Sequence, residues 1–314
     1  MDVAVWDQHA CLPLERDGDV RLLLRYHQAA GAYVCVNVGY TPHSAADTIT
    51  LINGYSTAIQ HTDGVEIATT PRSIDDAIRR GQIAVGFDLE DSAPLAGNLD
   101  TVRLLADSGV TSMIPTYNYA NQAGGGSLDA TDTGLTAWGR DLVAELNANN
   151  VIVDGSHCGP QTSLDICRAT AKPMMYSHSC LRTVWDHPRN VTDDQARACA
   201  ETGGVIGITG VGIFLGPNTA TAEAMVRHIE AAVDLVGVEH VGLSTDESFD
   251  PSDFIAELTA NPQLFDASYT RWGPIEWVSP EEFLTVPELL ERRGWSNRDV
   301  SAIAFGNFRR LRDA

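Results

Sequence analysis

Short apolar runs recur along the chain, each closed by a polar residue, and most are followed by a stretch with helical spacing. Residues 3–9, 32–39, 83–90 and 111–118 are the first four runs, rich in β-branched residues and too short for helices. Residues 151–157, 174–178, 205–208 and 240–246 are the next four. Between them the spacing predicts helices over residues 21–30, 99–108, 135–149, 159–172, 193–202 and 222–236. Another helix is predicted through Ile49, Ile52, Tyr55 and Ile59, with Ser44 as its cap. Gly31 and Gly109 supply helix stops.

Two of these runs match each other. Val153-Asp154-Gly155-Ser156-His157 and Tyr176-Ser177-His178-Ser179 each carry a Ser-His pair, with a helical pattern between them. A right-handed crossover makes such strands parallel and puts both histidines at their carboxyl ends. Repeated eight times, strand and helix predict an α/β fold, a single (β/α)8 TIM-type barrel. An open doubly wound sheet is the competing arrangement, but its Gly-rich phosphate turn is missing. Residues 247–280 have no regular pattern and carry Trp272 and Trp277, as a binding loop or lid would. Residues 281–312 read as two helices split near Gly294-Trp295. With no linker or low-complexity tract, residues 1–314 are expected to form one domain.

Composition narrows the partners. The chain is 44% hydrophobic, enough for a large core, and its formal charge of −21 argues against nucleic acid or anionic membrane. No apolar run reaches the roughly 18 residues that a membrane-spanning helix needs. Met1-Asp2-Val3 runs straight into the first strand pattern, with no secretory leader in view. Cys11, Cys35, Cys158, Cys167, Cys180 and Cys199 lack C-x-x-C spacing and read as reduced thiols of a cytoplasmic protein.

The residues that close the runs carry the chemistry. They are His9, Glu90, Tyr117 with Asn118, His157, His178 and Asp246. In a barrel these positions meet at one face, where active sites form. Three histidines and two carboxylates make an N/O set suited to Zn2+ or a similar divalent ion. A carboxylate can also bridge two ions about 3.5–4 Å apart. Two histidines held by backbone partners inside a core would be the plain alternative.

This distribution resembles the metal-dependent amidohydrolases and, more closely, the membrane (renal) dipeptidase family, peptidase family M19. The likeness runs from His9 to Asn307. It is most specific at Gly134-Leu135-Thr136-Ala137-Trp138-Gly139-Arg140, Asp154-Gly155-Ser156-His157, Ser177-His178-Ser179 and His187-Pro188-Arg189-Asn190-Val191-Thr192-Asp193. His240-Val241-Gly242, Asp246 and Gly306-Asn307-Phe308 add to it. The resemblance implies that Glu90 bridges two zinc ions, that His157 and His178 hold one, and that His9 holds the other. It further implies that Arg189 and Asn118 bind substrate and that Arg189 takes the substrate carboxylate. Asp246 is the implied acid/base residue for a hydroxide held at the metal. The implied reaction cleaves the amide bond of a dipeptide or small N-acyl amino acid.

Three departures from the family pattern bear on that chemistry. Where the family has His-x-Asp, this chain has His9-Ala10-Cys11, so Cys11 either ligates the ion as a thiolate or simply packs. Where the family has Thr-His-Asn, this chain has Thr116-Tyr117-Asn118. Tyr117 can donate one hydrogen bond to an oxyanion but cannot carry positive charge. Glu90-Asp91-Ser92 stands in place of Glu-Gly-Gly. These changes also fit a specialised hydrolase or lyase of secondary metabolism, or an inactive binding barrel. Trp272 and Trp277 fit either closure over substrate or the anchors of a homodimer.

Overall fold

The strands are β1 (Val5–Ala10), β2 (Ala32–Asn37), β3 (Val65–Ile67), β4 (Ile83–Leu89), β5 (Val110–Met113), β6 (Ile152–Val153), β7 (Met175–Ser179), β8 (Val205–Ile208) and β9 (Val241–Leu243). They belong to a computed structural model that describes residues 3–313. Met1, Asp2 and Ala314 lie outside the described residues, and the expectation of no leader rests on the first two. All strand pairings among the described residues are parallel. One sheet runs β1-β2-β4-β5-β6 and the other β7-β8-β9. The fold is an α/β barrel, as the pattern predicted, with one strand more than expected. That strand, β3, pairs with Ile83–Val85, while β5 takes the Phe87–Leu89 half of β4.

Two seams join the sheets into the barrel. At the first, the Gly155 amide donates to the Met175 carbonyl at 2.8 Å. Beside it, the Asp154 carboxylate accepts from the amides of Ser156 at 2.9 Å and Ser177 at 3.0 Å. At the second, the Asp246 amide donates to the His9 carbonyl at 2.9 Å. There the Asp7 carboxylate accepts the Thr245 amide at 2.8 Å and the hydroxyls of Thr245 and Tyr26. Both aspartates are buried.

Alternation along the strands decides what fills the barrel. Tyr33 and Cys35 of β2 and Ala84 of β4 pack with Trp6, Met175, Val205 and Phe308. Trp6 stacks on Tyr33 with centroids 3.9 Å apart. A Cβ at Gly86 would stand 2.0 Å from the Tyr33 hydroxyl, so only glycine fits at that interior position. The same alternation carries upward to Asn37, Asp88 and Glu90, where the lining turns polar. The outward set, including Val34, Val36, Val85 and Leu89, is covered by the helices.

Those helices are α1 (Ala45–Gln60), α2 (Pro71–Arg79), α3 (Asp100–Asp107), α4 (Ala137–Ala148), α5 (Pro160–Ala169), α6 (Asp193–Glu201), α7 (Gly212–Leu215) and α8 (Ala222–Val236). Ser44 caps α1 through a reciprocal box with Asp47. The unforeseen α2 begins with a Thr70–Ser73 box and Pro71 in its first turn, a start signal present in the sequence. None of the described helices is long and apolar enough to cross a membrane.

Three expectations are corrected. The helix expected over 21–30 is a 3-10 segment, Val20–Tyr26, whose buried residues Val20, Leu23 and Tyr26 recur every third position. The strand expected over 151–157 is β6 alone and ends at Val153, because Asp154 turns to bridge the seam and His157 adopts φ 63°. The stretch 247–280 is not structureless. It contains α9 (Pro251–Ala260), started by the Asp250 side chain on the Ser252 amide and by Pro251. At the C-terminus, Val286–Arg292 and Asn297–Ser301 flank the predicted break at Gly294-Trp295. Asn307 then donates to the Val238 and Val241 carbonyls at 2.7 Å each, seating Phe308 under the barrel.

Asp154→Ala leaves the Ser156 and Ser177 amides buried without an acceptor, so unfolding in urea should show a loss of about 3 kcal/mol or more. Asp154→Asn keeps an oxygen at that position and should lose far less. An Ala variant within about 0.5 kcal/mol of the parent would show that the seam does not depend on this carboxylate.

Candidate metal centre

The polar rim gathers side chains from strand ends far apart in sequence. His9 lies in β1, with Cys11 just beyond it, and Asp88 and Glu90 lie at the end of β4. His157 follows β6, His178 lies in β7, and Asp246 follows β9. Their ligand atoms form three overlapping groups, each within 4.8 Å: His9 with Cys11 and Glu90, His9 with His178 and Asp246, and Glu90 with His157 and His178. Glu90 Oε1 stands 2.9 Å from His157 Nε2, 3.5 Å from His178 Nε2 and 3.6 Å from His9 Nε2.

Hydrogen bonds behind the rings decide which nitrogens face inward. Asn118 Nδ2 donates to the Leu264 carbonyl at 2.9 Å, which makes its Oδ1 the acceptor for His157 Nδ1 at 2.7 Å. His157 Nε2 is left with a lone pair. Ser177 Oγ lies 2.7 Å from His178 Nδ1 and, as acceptor, sets that ring the same way. His9 Nδ1 lies 3.1 and 3.2 Å from the two Asp88 oxygens, which turns Nε2 toward Cys11 Sγ at 3.5 Å. Asn37 Nδ2 donates to Glu90 Oε2 at 2.7 Å and leaves Oε1 facing the rings. Histidine ligands are held by such carboxylate and amide partners in metal sites generally.

The electrostatics call for a cation. Burial, partly offset by His9, pushes the Glu90 carboxyl up to about 8. Burial, partly offset by His9 and Arg189, pushes Asp246 up to about 6. Cys11 is pushed up to about 12 by burial, and His9 lowers it only in part. His157 and His178 are held well below the usual imidazole range by burial. Burial opposes a charge on His9 too, yet Asp88, Cys11 and Glu90 together outweigh it and hold a proton there. Donors that burial keeps from ionising together, with neutral imidazoles between them, fit a divalent ion, which lowers ligand pKa values directly.

Above the rim opens a cavity of about 220 Å³, lined by Cys11, Glu90, Tyr117, His157, Asp246 and the residues of the mouth. Tyr117 stacks on His157 at 4.3 Å and on Tyr40 at 4.9 Å. Arg189 is buried, with its guanidinium 5.2 Å from the Phe214 ring. Among the described residues its Nε has no hydrogen-bond partner, and its Nη2 makes one long contact of 3.4 Å to the His178 carbonyl.

Of the sequence-predicted residues, the structure brings His9, Cys11, Glu90, His157, His178 and Asp246 together. Asn118 has both polar side-chain atoms engaged, and neither Asn118 nor Arg189 is among the residues that line the cavity. Asn118 orients His157. Asp88 and Asn37 were missed, although each lies on the interior face of a predicted strand, two residues before its end. Asp88 sits two residues before Glu90, so the period of two pointed to it.

The class of structure is a parallel barrel whose rim gathers residues that could hold a metal ion. The chain belongs to the membrane dipeptidase family, peptidase family M19, whose model matches residues 25–267. An uncharacterised dipeptidase of Schizosaccharomyces pombe is 32% identical over 195 residues, 59% of this chain and 47% of that protein. The chain thus spans about half the length of this curated relative. An amidohydrolase from Pseudomonas aeruginosa superposes with a TM-score of 0.87 at 24% identity, over 99% of this chain and 96% of that one. A metallopeptidase from Rhodobacter sphaeroides, solved with a phosphinate mimic of L-Ala-D-Ala, gives 0.80 at 18% identity, covering 99% of each chain. At these identities the likeness shows the fold.

Asp88→Ala frees the His9 ring to turn, so metal affinity should fall about 10- to 100-fold by equilibrium dialysis. Unchanged affinity would show that Asp88 does not position a ligand.

Proposed function

We propose that the chain acts as one barrel domain that hydrolyses the amide bond of a dipeptide or small N-acyl amino acid with zinc at its rim. The observation that carries this is the convergence of His157 Nε2, His178 Nε2 and Glu90 Oε1 within 3.5 Å of one another, with the outer nitrogen of each ring engaged. Glu90, His157 and His178 would hold one ion, and His9 with Cys11 a second that shares Glu90. Bound zinc would supply Lewis acidity and lower the pKa of water.

The chain's own residues supply the rest. Asp246 lines the cavity 3.7 Å from His9 Nε2, in place to take a proton from water and return it to the leaving nitrogen. The Tyr117 hydroxyl has no protein partner among the described hydrogen bonds and is free to donate to the oxyanion. Arg189 is a buried cation with an unpartnered Nε, suited to a bidentate grip on a substrate carboxylate.

Metal-replete protein should release amino acids from a panel of L,L- and L,D-dipeptides, and a chelator should stop it. Arg189→Ala should raise KM about tenfold or more for free carboxylates, and much less for the C-terminal amides. Protein that holds metal yet cleaves no dipeptide would overturn the reading.

Cys11→Ser tests the second ion. Elemental analysis should show about two zinc equivalents in the parent and about one in the variant. An unchanged count would remove Cys11 from the ligand set.

A further inference from the structure

The mouth of the cavity differs in chemistry from its floor. Asp253 and Glu257 of α9 line it, with Tyr40, Phe254 and Trp277 around them. Phe254 packs edge-on against Trp277 at 5.6 Å. No Lys or Arg lines the cavity among the described residues. Glu257 accepts a hydrogen bond from Asn261 at 3.0 Å, a neutral donor, and no Lys or Arg pairs with it among the described residues. Asp253 in the first turn of α9 suits the helix dipole. Glu257, one turn further on, has no such reason, and like charges at this spacing repel.

Resting on the hydrolase reading above, we propose that this mouth selects substrates whose amino-terminal residue carries a cationic side chain, ammonium or guanidinium. Carboxylates beside aromatic faces attract such groups through both charge and ring quadrupole. Distance separates a side-chain cation from the α-ammonium that most dipeptides also carry. Three near-parallel rings step outward from the rim: His157, then Tyr117 at 4.3 Å, then Tyr40 a further 4.9 Å away. Glu257 and Asp253 line the same cavity as Tyr40. An α-nitrogen sits only about 2.5 Å from the scissile carbonyl carbon, so it stays near the floor. The extended side chain of Lys or Arg reaches about 6 Å further, to the acidic pair.

The test compares Lys-Ala and Arg-Ala with norleucyl-alanine, which has the length of Lys-Ala without its charge, on metal-replete protein. The kcat/KM of the cationic substrates should exceed the neutral one by about tenfold, and the Asp253→Asn/Glu257→Gln double variant should bring the ratio close to one. Equal values in the parent, or a ratio that survives the double substitution, would overturn the proposal while leaving hydrolysis intact. Calorimetry with free L-lysine and L-norleucine gives a readout that needs no turnover. If no dipeptide is cleaved, lysine binding about tenfold tighter, with that preference lost in the double variant, sustains the acidic mouth and rejects only the hydrolase reading. Equal binding of the two amino acids rejects the mouth.

Discussion

Two buried aspartates hold this barrel closed, and the site depends on them. The sheet ladder breaks between β6 and β7 and again between β9 and β1. Asp154 bridges the first gap through the Ser156 and Ser177 amides, and Asp7 bridges the second through Thr245. Each bridged residue is the chain neighbour of a rim side chain: Ser156 precedes His157, Ser177 precedes His178, and Thr245 precedes Asp246. Asp7 itself lies two residues before His9. Closing the barrel and aiming the rim are therefore one act. A buried acceptor that satisfies otherwise orphaned amides is worth more than a surface contact, because its loss exposes their full desolvation penalty.

The backbone departs from ordinary geometry at the same places. His157, Asn118 and Asp246 have φ of 63°, 57° and 53°, a region that non-glycine residues enter at a cost of about 1–3 kcal/mol. Asn118 is locked by Leu264, His157 and Tyr269. His157 is locked by Asn118 and by the Tyr117 stack. Asp246 is locked by the hydrogen bond that its backbone amide donates to the His9 carbonyl. Strain of this kind lets three strands end abruptly and turn their side chains inward over the barrel mouth. It also fixes rings before any ligand arrives, which limits reorganisation on binding.

The fold was largely legible because periodicity and the length of the apolar runs report burial directly. Val205–Ile208 and Ala222–Val236 fall where the pattern put them. The pattern was silent where side chains rather than ladders do the pairing. The short Ile152–Val153 ladder gives way to Asp154, and a carboxylate in a strand run carries no periodic signal. For the site, strand-end position identified the inner ring of donors but not the ring behind it. Asp88 and Asn37 read as ordinary strand residues until the interior face is known. The α9 helix was hidden because the pattern was judged by apolar spacing, whereas none of its residues is buried. Its start signal, Asp250-Pro251-Ser252, was there to be read.

The residues that depart from the family pattern lie together. Cys11 sits on the cavity wall, where burial pushes its thiol up to about 12. A thiol in that state adds little negative charge until a cation draws the proton off. Tyr117 replaces a residue type able to carry positive charge with a neutral ring, and that ring stacks between His157 and Tyr40. Tyr40 and Glu257 of α9 line the same cavity. The half of the rim built on His157, His178 and Glu90 keeps the donor set of the proposed hydrolysis. The altered residues connect that set to an acidic, aromatic mouth with no Lys or Arg on its wall among those described. A neutral ring at position 117 adds no positive charge to that path, so in the proposed reading chemistry and selectivity divide between the two halves of one cavity.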